Sequence, residues 1–345
     1  GWSSLSPAAF AHWSNYLALV ENKFEDGYRY AKLALSLRRA STSCIYDGAV
    51  IFCTTNTKIF VEPVQSTIEF YLEGHKAAMR SGATRYATLC AMVYDMSSFW
   101  AGKNVKAVCC AMVETMKQVK FYNNLLLLTI ILPAFQVAVK MAGETGIEQS
   151  DLINASGESS KERNFAAKLP SHILNTSFHG FYEAFIFRQL ERAKQDAETF
   201  YEEQSESTIN MSSPMFMREF YFGLVSFWIG REKCDKKWLL RGIASKHALN
   251  NLATTASTWN FENKAFLLQA EEQFSQMDFV AAGVLYEAAI LSSKRHKFLN
   301  EEALANELAG YFYLDTGKKM KSIHYFSQAL QKYTEWGALA KASTL

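Results

Sequence analysis

Apolar residues recur at intervals of three and four along nearly the whole chain, the period of helices lying on a core. Only residues 43–54 are ambiguous, because Val50 and Ile51 suit a strand as well as a short apolar helix. Ser6-Pro7 places serine at a cap and proline at the first helical position, opening a helix predicted to reach about Glu21. Its partner carries a small-residue face through Gly27, Ala31 and Ala34. Further helices are predicted from Pro63 to near Gly82, over Thr84–Trp100 with a stop at Gly102, over Val105–Lys117, and from Phe121. Pro170 restarts the pattern with Ser171–Arg188, Glu191–Glu203, Pro214–Ile229, Lys236–Ser257 and four more. Asp278 and Asn300 are predicted caps, and Gly317 falls where a helix end favours a left-handed residue. The total is about fifteen helices and no strand pair, joined by connections short enough to make neighbours antiparallel.

From Asn263 to Leu345 one pattern occurs twice. Ala282, Tyr286 and Ala289 are followed forty residues on by Ser322, Phe326 and Ala329, and twelve residues upstream of each set lie Ala270 and Gly310. Small residues let two helices approach while the aromatic fills the next layer, which is how tetratricopeptide-type hairpins stack. The predicted fold is all-α, a right-handed superhelix of antiparallel helix pairs forming a tetratricopeptide-like α-solenoid. Gly, Ser, Glu, Asp and Asn dominate from Gly143 to Lys168, too long a structureless run for the inside of a compact domain. The predicted organisation is therefore degenerate helical repeats over 1–142, a linker or insertion over 143–170, and repeats over 171–345, clearest at 263–345.

Composition narrows the field further. Five prolines in 345 residues suit long helices, and 36 basic against 34 acidic residues leave no field pointing to nucleic acid. Cys44, Cys53, Cys90, Cys109, Cys110 and Cys234 form no Cys-x-x-Cys pair, and most sit in apolar helical context, so a reducing, intracellular setting is expected. The sequons at Asn154, Asn175 and Asn210 are then chance matches. Phe121–Val139 is the one candidate for a membrane span, but it carries Asn123, Asn124, Pro133 and Gln136, and a buried solenoid helix is expected instead. The chain opens Gly1-Trp2-Ser3 and is expected to be a segment of a longer polypeptide.

Three stretches carry a resemblance beyond generic repeats: Trp259–Lys264 leading to Leu267–Glu271, Glu301–Ala309, and Tyr333–Lys341. Tyr71-x-x-Gly74-x-x-Ala77 followed by Thr84–Gly102 adds to it. Together they resemble the helical-repeat region of large STAND/AAA-type ATPase signalling proteins that combine kinase-like, ATPase and sensor histidine kinase or cyclase domains. The resemblance implies a regulatory or sensor module and carries over no catalytic residue. Gly317-Lys318-Lys319 lacks the leading glycine and the hydroxyl of a phosphate-binding loop, and His-Arg-Asp and Asp-Phe-Gly motifs are absent.

The expected function is a non-catalytic scaffold or regulatory segment that contacts other proteins or other domains of its parent chain, with no cofactor. The alternative is a sensor holding a small molecule or pigment in an apolar pocket of the superhelix. Asn263, Lys264, Asn306 and Tyr313 are candidate partner-binding residues, because the first helix of each pair lines the concave side of such a stack. His172, His179 and Glu183 share a helix face, but two turns separate the histidines and a structural role is expected. Buried packing is expected of Cys90, Cys109 and Cys110, and a solvated face of Glu191, Lys194, Asp196 and Glu198.

Overall fold

The computed structural model describes residues 3–40, 45–143, 170–206 and 215–345. Among them are sixteen α-helices and no strand. The first seven are α1 (Ser6–Leu19), α2 (Phe24–Ala40), α3 (Asp47–Lys58), α4 (Val64–Arg80), α5 (Thr84–Trp100), α6 (Val105–Phe121) and α7 (Leu128–Ala142). Next come α8 (Pro170–Ile186), α9 (Leu190–Glu206), α10 (Met215–Glu232), α11 (Lys236–Thr255) and α12 (Thr258–Ser275). The last four are α13 (Phe279–Arg295), α14 (Leu299–Asp315), α15 (Lys319–Trp336) and the short α16 (Leu339–Ala342). The ambiguous stretch around Val50 is thus helical. Nearly all of the predicted linker lies outside the described residues.

Consecutive helices pack as hairpins, and first helices also pack on one another: α1 on α3, α3 on α5, α5 on α7, then α8 on α10 and α10 on α12. Small residues set the approach. A Cβ on Gly310 would lie 2.8 Å from the Phe326 ring, and one on Gly48 would fall 2.5 Å from Ala78 Cβ, so the device marks α3–α4 as well as α14–α15. Ala270, Ala282, Tyr286, Ala289, Ser322 and Ala329 are buried, and Phe326 is half-buried. Ala282→Trp is expected to overpack α12 against α13 and cost about 1–3 kcal/mol or more, read as a lowered melting temperature.

The ends of the helices follow local chemistry. Asp278 caps α13 by accepting from the Ala281 amide at 3.0 Å, and Gly317 turns with φ +75°. Ser6 sits one place inside α1, leaving Leu5 at the cap without a side-chain bond. Asn300 does not cap α14; Phe298 holds that position, and the Asn300 amide is used elsewhere.

That other use explains the whole arrangement. Asn260 of α12 donates to the carbonyls of Ile59 and Glu62 at 2.7 and 2.8 Å and accepts from the Val64 amide at 3.0 Å. Asn300, forty residues on, donates to Trp100 O at 3.1 Å and lies against Gly102. Ala340, a further forty on, packs against Gly143, while Trp336 Nε1 donates to Lys103 O at 3.0 Å. Each repeat of the second half therefore fastens one successive turn of the first half. The two hairpin arrays run side by side in the same direction, held by rungs about one repeat apart.

Docking in this way buries several of the inner helices on every side, though α1 keeps Trp13 and Tyr16 exposed. Every residue of α14 from Asn300 to Gly310 is buried, as is α10 from Phe220 to Gly230 and most of α3 and α5. Helices buried all round need no amphipathic stripe, and the second helices form the outer cladding. The apolar run Leu125–Ala142 has mean hydropathy 2.0 and is long and apolar enough to cross a membrane; 61% of it is buried within the fold. Its helix packs against α5, α6, α8 and α16.

One buried group works against stability. Asp95 of α5 is 2% exposed, and its Oδ2 has no hydrogen-bond partner. Burial pushes its carboxyl up to about 7, against the opposing Thr115 hydroxyl. The folded chain therefore binds a proton that the unfolded chain, titrating near 4, has already released, so stability falls as pH rises between those values. The penalty is full above about pH 7 and absent below about pH 4. Asp95→Asn is expected to stabilise the chain at pH 8, with the advantage shrinking by about 2–3 kcal/mol at pH 5 in paired urea titrations.

Candidate functional site

The residues predicted to face a partner are buried within the fold. Asn263, Lys264, Asn306 and Tyr313 are all buried, at 2%, 1%, 3% and 3% exposure. Lys264 Nζ donates to Glu301 Oε2 and to Asn260 O, both at 2.8 Å, and sits over the Phe298 ring. Asn263 donates to Ser293 Oγ at 3.2 Å and to the same Glu301 oxygen. The Asn306 amide bonds Glu302 O of its own helix at 2.7 Å, and Tyr313 stacks on Tyr325 at 5.2 Å. An open tetratricopeptide array would leave such positions lining a groove; here Lys264 lies beside Ile59, Val64 and Trp100 of the first array, while Tyr313 is covered by α13 and α15 of its own array.

Charge inside this layer is balanced pair by pair. Burial pushes the Glu301 carboxyl up and the Lys264 ammonium down, and their contact opposes both shifts. Two glutamates follow a common plan. Glu271 accepts from Tyr286 of the next helix and pairs with Arg231 at 2.6 Å, while Glu307 accepts from Tyr333 at 2.7 Å and pairs with Lys341 at 2.7 Å. These are structural roles: each carboxylate oxygen of Glu271 and Glu307 meets a partner on a neighbouring helix.

Groups with catalytic potential are also engaged. Ser292 Oγ donates to Glu262 at 2.7 Å and lies 3.3 Å from His296 Nδ1. The serine proton is thus directed at the carboxylate rather than at the imidazole, the reverse of a nucleophilic triad. Burial lowers the His296 pKa, and pushes the Cys53, Cys90 and Cys109 thiols up to about 12, which keeps them protonated. Cys110 is exposed, and Cys44 lies outside the described residues. Among the described residues no three metal-ligating side chains converge. The sequon residue Asn175 is buried and its side chain accepts from Arg218, while Asn154 and Asn210 lie outside the described residues.

Of the α9 charges expected to be solvated, Glu191 is exposed, while Lys194, Asp196 and Glu198 are half-buried. Glu198 takes both guanidinium nitrogens of Arg241, at 2.7 and 2.9 Å, and Glu191 pairs with Lys233. The Arg241 bonds hold Glu198 down to about 2.

The surface left for a partner is on the outer side. Val280, Val284 and Leu291 form an exposed row on α13, and Met320, Ile323 and Leu330 form another on α15. Val280 and Met320 are each 81% exposed. Tyr325 ties the two helices by donating to Glu287 at 3.2 Å. Sequence reasoning did not single these residues out. Their signal is that α13 is apolar on two opposite faces, one carrying Ala282, Tyr286 and Ala289 and the other Val280, Val284 and Leu291. Large apolar patches of this kind mark interaction surfaces. No family model matches the chain, and no curated protein matches it.

Proposed function

We propose that this chain is a non-catalytic helical-repeat scaffold or regulatory segment, part of a larger ATPase/kinase-type signalling protein. In this reading it engages another protein, or another domain of its parent, through the outer faces of α13 and α15. The supporting observation is the pair of exposed apolar rows on adjacent second helices, on the side away from the filled inner layer. The engaged state of Ser292, His296 and the buried thiols favours contact over chemistry. Those free thiols also favour a reducing, intracellular setting.

A photo-crosslinking residue placed at Val284 or Ile323 in the native cell is expected to give one discrete adduct, while the same residue at exposed Lys236 of α11 gives none. With the crosslinking residue placed instead at Leu291 of the same row, Val284→Glu combined with Ile323→Glu is expected to abolish the adduct without lowering the melting temperature, since both replaced side chains are exposed. Indiscriminate adducts at all three positions would overturn the proposal.

A second reading, a small-molecule sensor, rests on a half-open pocket of about 170 Å³ whose wall also carries Asn22, Gln204, Arg218 and Glu219. Leu174, Phe60, Phe200, Phe216 and Leu252 line it. The aromatic side of the pocket is wide enough for one ring, with the polar residues at its other side. Stabilisation of the chain by benzene or toluene, lost in Leu252→Trp, would favour this reading.

A further inference from the structure

In the first array, the turns that lead from a second helix to the next first helix share one edge. These are the α2–α3, α4–α5 and α6–α7 turns. The rungs at Ile59, Trp100 and Gly143 sit at the opposite ends of α3, α5 and α7, so helix length places the turns roughly 18–25 Å from them. Neighbouring turns are tied together along the edge. Arg38, near the end of α2, meets Asp47 of α3 at 3.2 Å and Glu73 of α4 at 3.0 Å. Asn124, in the α6–α7 turn, donates to Thr88 Oγ1 of α5 at 2.9 Å.

Each turn holds apolar side chains out in the open. Ile45 and Tyr46 are exposed at the α2–α3 turn, Met79 at the α4–α5 turn, and Phe121 and Leu126 at the α6–α7 turn. Phe121 is 81% exposed, with the Tyr122 ring edge-on to it at 5.0 Å. Cations surround these tips. Arg39, Lys76, Arg80 and Arg85 are exposed, and among the described residues no carboxylate lies within salt-bridge distance of them. Asp47 and Glu73 are both taken by Arg38, and Glu114 by Lys117. Over residues 36–47, 73–88 and 114–128 the sequence holds seven Lys and Arg against three Asp and Glu, although the whole chain is nearly balanced at 36 to 34. A nucleic acid would meet the cations and leave Phe121 and Leu126 in water. A bilayer with anionic headgroups meets both, because aromatic and aliphatic tips enter the headgroup layer while Lys and Arg stay at the phosphates.

We propose that this edge of the first array docks on an anionic lipid surface, with Phe121, Tyr122 and Leu126 entering the headgroup layer. The contact is peripheral, since α7 stays packed against α5, α6, α8 and α16. Its strength comes from the buried apolar tips together with the attraction of the cations to the lipid phosphates. This edge is separate from the outer faces of α13 and α15 and does not depend on their role.

Co-sedimentation of the full chain with vesicles of phosphatidylcholine, and of phosphatidylcholine with about 30% phosphatidylserine, tests it. The chain is expected to bind the anionic vesicles about tenfold or more tightly, with the advantage shrinking as salt rises from about 0.1 to 0.5 M. Arg80→Glu combined with Arg85→Glu is expected to lower anionic-vesicle binding about tenfold or more, and Phe121→Ser combined with Leu126→Ser about tenfold. These four side chains are exposed, so the melting temperature is expected to hold in both variants. Lys236→Glu, an exposed cation of the second array, is expected to leave vesicle binding unchanged. Equal binding to the two vesicle types, full binding by either double variant, or no binding to anionic vesicles at about 1 mM lipid would each overturn the proposal. So would tighter binding to a DNA duplex than to the anionic vesicles, kept by the Phe121→Ser, Leu126→Ser variant, which would mark the edge as a nucleic-acid surface.

Discussion

Replacing Lys264 by methionine is expected to destabilise the chain by about 3–5 kcal/mol, a large part of the margin that holds a domain folded. The reason is what remains behind. Glu301 is 1% exposed, and without the ammonium it keeps only the Asn263 amide, while its Oε1 already has no partner. A buried carboxylate in that state must take up a proton or be exposed, and either outcome costs several kcal/mol. Combining Lys264→Met with Glu301→Leu removes both charges together and is expected to recover most of the loss, because a well-packed apolar pair often matches a buried ion pair. Urea unfolding of the two single variants and the double variant gives the coupling directly. A double variant as unstable as Lys264→Met alone would mean that the two groups do not act as a unit.

The second large effect concerns the clasp between arrays. Asn260→Leu is expected to cost about 3–6 kcal/mol, since three buried backbone groups lose their partner and each carries a penalty of roughly 1–3 kcal/mol. Those groups are Ile59 O, Glu62 O and the Val64 amide, all at the α3–α4 turn. Asn306→Leu makes the comparison, because that equally buried amide bonds only a carbonyl of its own helix. Hydrogen exchange should show the Asn260 variant opening first around Ile59–Val64, while α9 and α11 stay protected. Similar losses for the two variants would sink the account of the clasp.

The hairpins were legible in the sequence because their rules are local. Gly310 and Phe326 lie sixteen residues apart, and Ala282, Tyr286 and Ala289 fall on one helix face, so periodicity alone predicts the contact. The all-helical class followed from the same period. The docking of the arrays was not legible, because Asn260 and Ile59 are about two hundred residues apart and no local rule links them. Traces do exist in the forty-residue spacing of Asn260, Asn300 and Ala340, and in the forty-one between Gly102 and Gly143. The assignment of Lys264 and Asn306 to a partner-facing surface failed for a physical reason. Polar helix residues usually face water, but here Lys264 pairs with the buried Glu301 and the Asn306 amide bonds Glu302 O of its own buried helix. Asn300 resembles a cap in sequence because an amide near a helix start is normally used locally, whereas this one is spent across the interface.

The rungs at Asn260, Asn300 and Ala340 also govern how the chain reaches its native state. Contacts separated by so much sequence are slow to form, since a long loop must close before any of them rewards it. During synthesis the leading array emerges with its inner helices bare and waits for the trailing array to arrive. In that interval it exposes the oily flank of α3 and α5, the sort of surface that chaperones shield and that clumps when left uncovered.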